Sequence, residues 1–142
     1  MILFSRRVAF TSALSAGLLS LAACTSSPLQ RSQVVLYSEA DMAARGSAAY
    51  QQMREETPVS EDARAIRYVN CVADHVVEAL PVEVRTRYAW EVTLFADEQA
   101  NAFALPGGKM GVYEGLLNVA INQHQLAAVM AHEVGHVLAN HS

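Results

Sequence analysis

The sequence predicts an α+β domain in which several helices pack on a small, mainly antiparallel sheet. Residues 39–56 are rich in good helix formers, and residues 61–80 carry apolar side chains at spacings of three and four. Residues 88–113 instead contain alternating apolar and polar side chains and a Pro-Gly-Gly turn, which indicates strands. A last helical segment follows residue 122 and ends the chain.

The N-terminal segment has the composition of an export signal. Arg6 and Arg7 precede an apolar run over residues 8–22, in the order of charge and hydrophobicity that secretory signal peptides show. The run is too short and too weakly apolar for a membrane span. It ends in Leu-Ala-Ala before Cys24, which resembles the bacterial lipoprotein box, where the cysteine is lipidated. We therefore predict a signal peptide over 1–23 and a lipid on Cys24; the alternative is an ordinary cysteine near a cleavage site.

The composition of the chain after the leader argues against nucleic acid as a partner and against a disulfide within the fold. Loss of Arg6 and Arg7 with the leader leaves 8 of the 10 basic residues against 14 acidic ones, a formal charge of −6. This charge argues against nucleic acid as a partner. If Cys24 is lipidated, Cys71 is the only thiol left, so no disulfide is expected within the mature chain. Thr25 follows Cys24, and by resemblance to Gram-negative lipoproteins this predicts an outer-membrane location facing the periplasm, with the lipid as the membrane contact.

A tether and two helices are expected next. Polar residues over 24–38 predict a flexible tether, and the folded domain is expected to span 39–142. The first helix ends before Pro58, because the residue preceding a proline avoids the helical region. Residues 60–63, Ser-Glu-Asp-Ala, offer an N-cap and an acidic first turn for a second helix that continues to about Leu80.

The middle of the domain carries the strand signals. Residues 88–97 predict a half-buried strand with Trp90, Val92, Leu94 and Ala96 on one face and Glu91, Thr93, Phe95 and Asp97 on the other. Residues 101–105 form a second extended piece, and the turn at 106–108 makes 109–113 its candidate hairpin partner. The sequence pattern alone favours a purely structural role for this sheet.

The last helix contains His-Glu-Val-Gly-His over residues 132–136, the His-Glu-x-x-His arrangement of zinc-dependent hydrolases. Histidines four residues apart lie on nearly the same face of a helix, so His132 and His136 can ligate one ion. Glu133, one position on, can act on a water at the metal. Asn122 is the predicted N-cap of this helix. At about 100° per residue, both histidines lie opposite an apolar stripe made of Leu126, Met130, Val134, Val137 and Leu138.

The other histidines do not complete a zinc site, which normally needs a third protein ligand. His141 lies about 180° from His132 on a continuing helix, and His124 lies about 12 Å away along the axis. His75, in the second helix, has no partner at metal-ligand spacing and is expected to be a surface or partly buried residue. The residues themselves also leave open that His132 and His136 belong to a solvated polar face.

Two segments resemble a known family. They are Asn-Ala-Phe-Ala-Leu-Pro-Gly-Gly-Lys-Met-Gly-Val-Tyr-Glu-Gly-Leu-Leu over 101–117 and Gln-Leu-Ala-Ala-Val-Met-Ala-His-Glu-Val-Gly-His-Val over 125–137. Both are similar to peptidase family M48, the Ste24/HtpX-like zinc metallopeptidases, and the lipoprotein box is similar to that of its periplasmic lipoprotein members. The resemblance implies the N-terminal portion of a zincin-like (gluzincin) fold, with the metal-binding helix at the C-terminus of this chain.

The resemblance also implies a cofactor and a reaction. One Zn²⁺ per chain would be held by His132, His136 and a glutamate on a later helix, so the chain is expected to be part of a longer enzyme or a truncated gene product. The implied activity is hydrolysis of peptide bonds in unfolded or misfolded envelope proteins by a metal-activated water, with Glu133 moving its proton to the leaving amine. Substrate would pair with an edge strand made of Asn101, Ala102, Phe103, Ala104 and Leu105.

Two other functions remain open at the level of sequence. A non-catalytic periplasmic binding or chaperone-like lipoprotein would keep the strand edge without a complete metal site, and the missing third ligand favours it. A metal-dependent hydrolase of a non-peptide substrate would keep the metal site, but the resemblance of the strand edge disfavours it.

Overall fold

The computed structural model of this chain describes residues 24–26, 32–34 and 37–139. These residues form an α+β domain, as the sequence predicts. Its elements in chain order are β1 (Cys24–Ser26), β2 (Ser32–Val34), α1 (Glu39–Glu56), α2 (Ala63–Glu78), α3 (Val82–Arg85), β3 (Glu91–Phe95), β4 (Ala102–Leu105), β5 (Lys109–Tyr113), α4 (Glu114–Leu117) and α5 (Gln123–Leu138).

The sheet formed by β3, β5 and β4 lies between two helical layers. On one face, Leu94 of β3 shares a core with Val69 of α2 and Val134 of α5. Thr93 points to the opposite face, because successive side chains of a strand alternate. There its hydroxyl is 2.6 Å from the hydroxyl of Tyr50 in α1, and burial raises the pKa of this tyrosine. Helices α2 and α5 therefore cover one face of the sheet and α1 covers the other.

The sheet is mixed, which corrects the prediction of a mainly antiparallel one. Strands β3 and β5 pair in parallel, whereas β4 and β5 form the predicted antiparallel hairpin. The reason is the connection after β3, which crosses the end of β5 and enters β4 on the far side. Gly115 permits this crossing, since a Cβ there would overlap the carbonyl oxygen of Glu98. Strand β5 is thus central and β4 lies at an edge.

The last three residues of strand β3 are buried on both faces, although the alternating pattern predicts a half-buried strand. Thr93, Leu94 and Phe95 are 7%, 3% and 0% exposed. Phe95, on the face assigned to solvent by the pattern, packs against the rings of Phe103 and Tyr113. The pattern of one strand does not reveal the helix that covers its second face, so this part of the prediction is wrong.

Both predicted helix starts carry a cap, but the acidic first turn predicted for α2 is absent, because Asp62 lies before the helix as its N-cap. Asn122 caps α5 as predicted, its side chain accepting hydrogen bonds from the amides of two residues in the first turn. Helix α2 is capped by Asp62, whose carboxylate accepts from the amides of Ala65 and Arg64 and has its pKa lowered by those bonds. Ser60 is instead buried and donates its hydroxyl proton to Glu114.

Helix α1 packs on the turn between β4 and β5 through a glycine. Gly46 is buried in α1, and a Cβ at this position would overlap the carbonyl oxygen of Pro106. At the next position of the turn, a Cβ on Gly107 would lie 3.3 Å from the Cβ of Ala43 in α1. The close approach of the two backbones fixes the turn that ends the edge strand.

The predictions about export and anchoring fall largely outside the described residues. The signal peptide predicted over 1–23 is not described, and within the predicted tether Cys24–Ser26 pairs antiparallel with Ser32–Val34. Among the helices of the described ranges, none combines the length and apolar character that a membrane span needs.

Candidate active site

Helix α5 separates a buried side from an exposed side. Leu126, Met130 and Val134 are 0%, 2% and 1% exposed and belong to the core. His132 and His136 are exposed on the other side. The apolar stripe therefore holds the helix in the domain and leaves both imidazoles accessible, as the helical spacing predicts.

The two imidazoles converge on one point. The Nε2 atoms of His132 and His136 are 3.0 Å apart, and their ring planes meet at 86°. Two nitrogens that each lie about 2.0–2.1 Å from one tetrahedral zinc ion are about 3.3 Å apart. The pair therefore fits a shared zinc ion after a movement of about 0.3 Å.

Glu133 lies beside the edge of the sheet. With Met130 it forms one wall of a narrow crevice, and the other wall is made of Ala102 and Phe103 of β4 and Met110 and Gly111 of β5. Its side chain is partly exposed. The fold thus brings Glu133 of the motif next to the strand predicted to bind substrate.

Strand β4 has an open edge. Within the described part of the chain it pairs only with β5. The amide of Tyr113 donates to the carbonyl of Asn101 at 3.0 Å, and antiparallel pairs alternate between bonded and non-bonded positions. The backbone groups of Ala102 and Ala104 therefore point away from β5, while the side chains of both pack towards the core.

No third ligand accompanies the histidine pair in the ranges that the structure describes, since no group of three His, Cys, Asp or Glu side chains there could hold a metal ion. His124 lies in the first turn of α5. His75 is exposed on α2, with Nδ1 2.8 Å from the carbonyl oxygen of Cys71. His141 lies outside the described residues. The structure thus brings His132 and His136 together and places Glu133 beside the edge strand.

The wall of the crevice contains residues that the motifs do not identify. Met130 follows the apolar stripe of α5, and Met110 and Gly111 read as ordinary positions of a hairpin strand. Gly111 does carry a signal, because a glycine inside a strand often marks the close approach of another group. The contact between α5 and the sheet is what turns these positions into neighbours of Glu133.

Comparison with known proteins agrees with this arrangement. The sequence profile of Peptidase family M48 matches residues 63–142, more than half of the chain, from the start of α2 through the motif on α5. The chain belongs to peptidase family M48. The resemblance carried by residues 101–117 and 125–137 is thereby confirmed.

Several relatives of this M48 chain are named as proteases. The beta-barrel assembly-enhancing protease of Yersinia pestis is 34% identical over 98 residues, which cover 69% of this chain and 20% of that protein. The protein of the same name from Escherichia coli K12 is 31% identical over 96 residues, or 68% of this chain and 19% of the relative. The mitochondrial metalloendopeptidase OMA1 of Schizosaccharomyces pombe is 49% identical over 53 residues, or 37% of this chain and 16% of the relative. The M48 chain therefore spans about a fifth or less of the length of these relatives.

Proposed function

We propose that this M48 domain belongs to a zinc-dependent metalloendopeptidase of the zincin-like, gluzincin type. His132 and His136 hold one Zn²⁺ per chain, and Glu133 is the catalytic base. The observation that carries the proposal is the 3.0 Å separation of the two Nε2 atoms on the exposed side of a helix that packs beside an open strand edge. A glutamate from a segment that follows α5 in the family is the proposed third ligand.

His132, His136 and Glu133 have separate roles in the proposed reaction. Zn²⁺ held by the histidines supplies polarisation of the scissile carbonyl and lowers the pKa of water. His132 and His136 bind it as neutral imidazoles, because a ligating nitrogen must be unprotonated. Glu133 accepts a proton from water as the water oxygen bonds to the carbonyl carbon. It then delivers that proton to the leaving nitrogen as the carbon–nitrogen bond breaks.

The proposed substrate is an unfolded or misfolded protein of the cell envelope. A peptide can add to a sheet edge only when it is extended, and folded proteins seldom offer such segments. Along β4, the outward backbone groups of Ala102 and Ala104 are the ones that can pair with it. Phe103 and Leu105 of β4, and Asn101 just before the strand, bond inward to β5, as the alternation of the hairpin requires.

Peptide binding is expected to slow hydrogen exchange at the amides of Ala102 and Ala104. The amides of Phe103 and Leu105 should change little, because β5 already accepts their hydrogen bonds. The measurement is residue-resolved amide exchange by NMR, with an extended model peptide and the Glu133→Gln variant, which is not expected to consume the peptide. Uniform protection along β4, or none, would remove this edge from the site. Protection without zinc-dependent cleavage by the unaltered protein would favour the non-catalytic binding function.

We also infer attachment to the outer membrane, facing the periplasm, through a lipid on Cys24. The leader over 1–23 and its Leu-Ala-Ala end support this location, while the relatives include both bacterial and mitochondrial proteins. In cells supplied with labelled palmitate, Cys24→Ser is expected to abolish labelling of the protein. The matched variant Cys71→Ser, at an exposed thiol of α2, should keep it. Undiminished labelling of Cys24→Ser would exclude this anchor.

A further inference from the structure

We propose that Gly111 and Phe103 are positioning residues that hold the edge strand β4 in place for peptide binding. This inference rests on the proposed function, in which β4 pairs with the substrate. It assigns to the Phe103 side chain a role separate from that of its backbone. The role of Gly111 is to leave room for that side chain.

The ring of Phe103 lies across the central strand. Phe103 and Gly111 are direct partners in the β4–β5 ladder. A Cβ on Gly111 would overlap Cε1 and Cζ of Phe103 and would lie 2.9 Å from Cε2 of Phe95. The ring therefore occupies the space over β5 that any other residue at position 111 would fill.

The far side of the ring is anchored in an aromatic cluster. The centroid of the Phe103 ring is 6.0 Å from that of Phe95 and 6.2 Å from that of Tyr113, and these two rings are 5.7 Å apart. Phe95 belongs to β3, the strand at the opposite edge of the sheet, and is fully buried. The side chain of Phe103 thus connects the edge strand to the opposite strand across β5.

This connection matters because an edge strand has hydrogen bonds on one side only. Ala102 and Ala104, next to Phe103, carry the outward backbone groups, and Phe103 and Gly111 also line the crevice opposite Glu133. Displacement of the ring would remove the contacts that fix the position of β4 relative to β3 and β5. We therefore expect peptide affinity to depend on Gly111, although glycine has no side chain with which to contact substrate.

A double-mutant cycle tests the proposal, with two measurements on each variant. The first is the affinity of an extended model peptide for the protein carrying Glu133→Gln, and the second is the amide exchange rate of Phe103 and Leu105 without peptide. Gly111→Ala and Phe103→Ala are each expected to weaken binding about tenfold, the effect of losing two aromatic pairs, and to speed exchange in β4. The double variant should bind about as weakly as Phe103→Ala alone, because the added methyl then no longer overlaps the Phe103 ring and its remaining close contact is with the end of the Phe95 side chain, Cε2, at 2.9 Å.

Two controls keep the outcome interpretable. Ile121→Ala, at a side chain that is 76% exposed between α4 and α5, should change neither measurement. Phe103→Leu, which keeps apolar bulk, should give an intermediate loss in both and covers the case in which Phe103→Ala fails to fold. Additive losses in the double variant, or unchanged β4 exchange in Gly111→Ala, would overturn the inference. Failure of the unaltered protein to bind or cleave peptide would instead overturn the proposed function, while the exchange rates would still decide whether Gly111 and Phe103 position β4.

Discussion

Replacement of Glu133 by glutamine is expected to lower kcat/KM for an unfolded protein substrate by about 10²–10⁴-fold, the range that a general base contributes. Glutamine has nearly the same size and shape, but its amide cannot take a proton from water. Zinc should stay bound, since the proposed ligands are His132 and His136. The measurement combines initial cleavage rates with elemental analysis of the same samples.

The matched control for this substitution is Glu83→Gln. Glu83 is exposed on the short helix α3 and lies outside the proposed site, so its replacement should leave both the rate and the zinc content unchanged. A Glu133→Gln variant that cleaves at the rate of the unaltered protein would remove this carboxylate from the mechanism. Loss of zinc together with activity would instead make Glu133 a residue that supports the metal.

Replacement of Gly46 by alanine is expected to reduce the free energy of unfolding by about 3 kcal/mol, the upper end of the usual cost of overpacking. A methyl group there would overlap the carbonyl oxygen of Pro106, and a backbone atom cannot move aside by changing rotamer. Helix α1 would have to shift away from the turn that joins β4 to β5. Urea unfolding followed by circular dichroism measures the change.

Gly135→Ala in the metal-free protein is the control for this prediction. Gly135 also lies inside a helix, but a Cβ there would meet nothing within 4 Å. Alanine should therefore stabilise α5 by about 0.5–1 kcal/mol through helix propensity alone. Both substitutions add one methyl group to a helix, but the expected changes in the free energy of unfolding have opposite signs. Stabilisation by Gly46→Ala as well would show that α1 does not depend on close contact with the turn.

Local signals in the sequence predict several elements well. Pro58 limits α1, Asn122 caps α5, and Pro-Gly-Gly at 106–108 closes the β4–β5 hairpin, because each feature depends on a few neighbouring residues. The parallel pairing of β3 with β5 depends instead on a connection that crosses the sheet. The burial of Phe95 depends on packing against residues distant in sequence. Neither the parallel pairing nor the burial of Phe95 can be predicted from the periodicity of a single strand.

In the candidate site, too, some features follow from local spacing in the sequence and others depend on tertiary packing. The spacing of His132 and His136 predicts their convergence, because four residues make about one helical turn. The crevice wall at Met110 and Gly111 could not be predicted from spacing, since it exists only where α5 meets the sheet. The lipid on Cys24, the leader and the third metal ligand remain predictions.

Zinc coordination by the histidine pair decides whether this domain works as a metallopeptidase of the proposed kind. We expect one zinc ion per chain in the protein, with X-ray absorption showing imidazole nitrogens about 2.0–2.1 Å from the metal. The substitutions His132→Ala and His136→Ala should each lower the zinc content well below one ion per chain. Zinc retained at one ion per chain in the double variant would contradict the assignment of these two residues as its ligands.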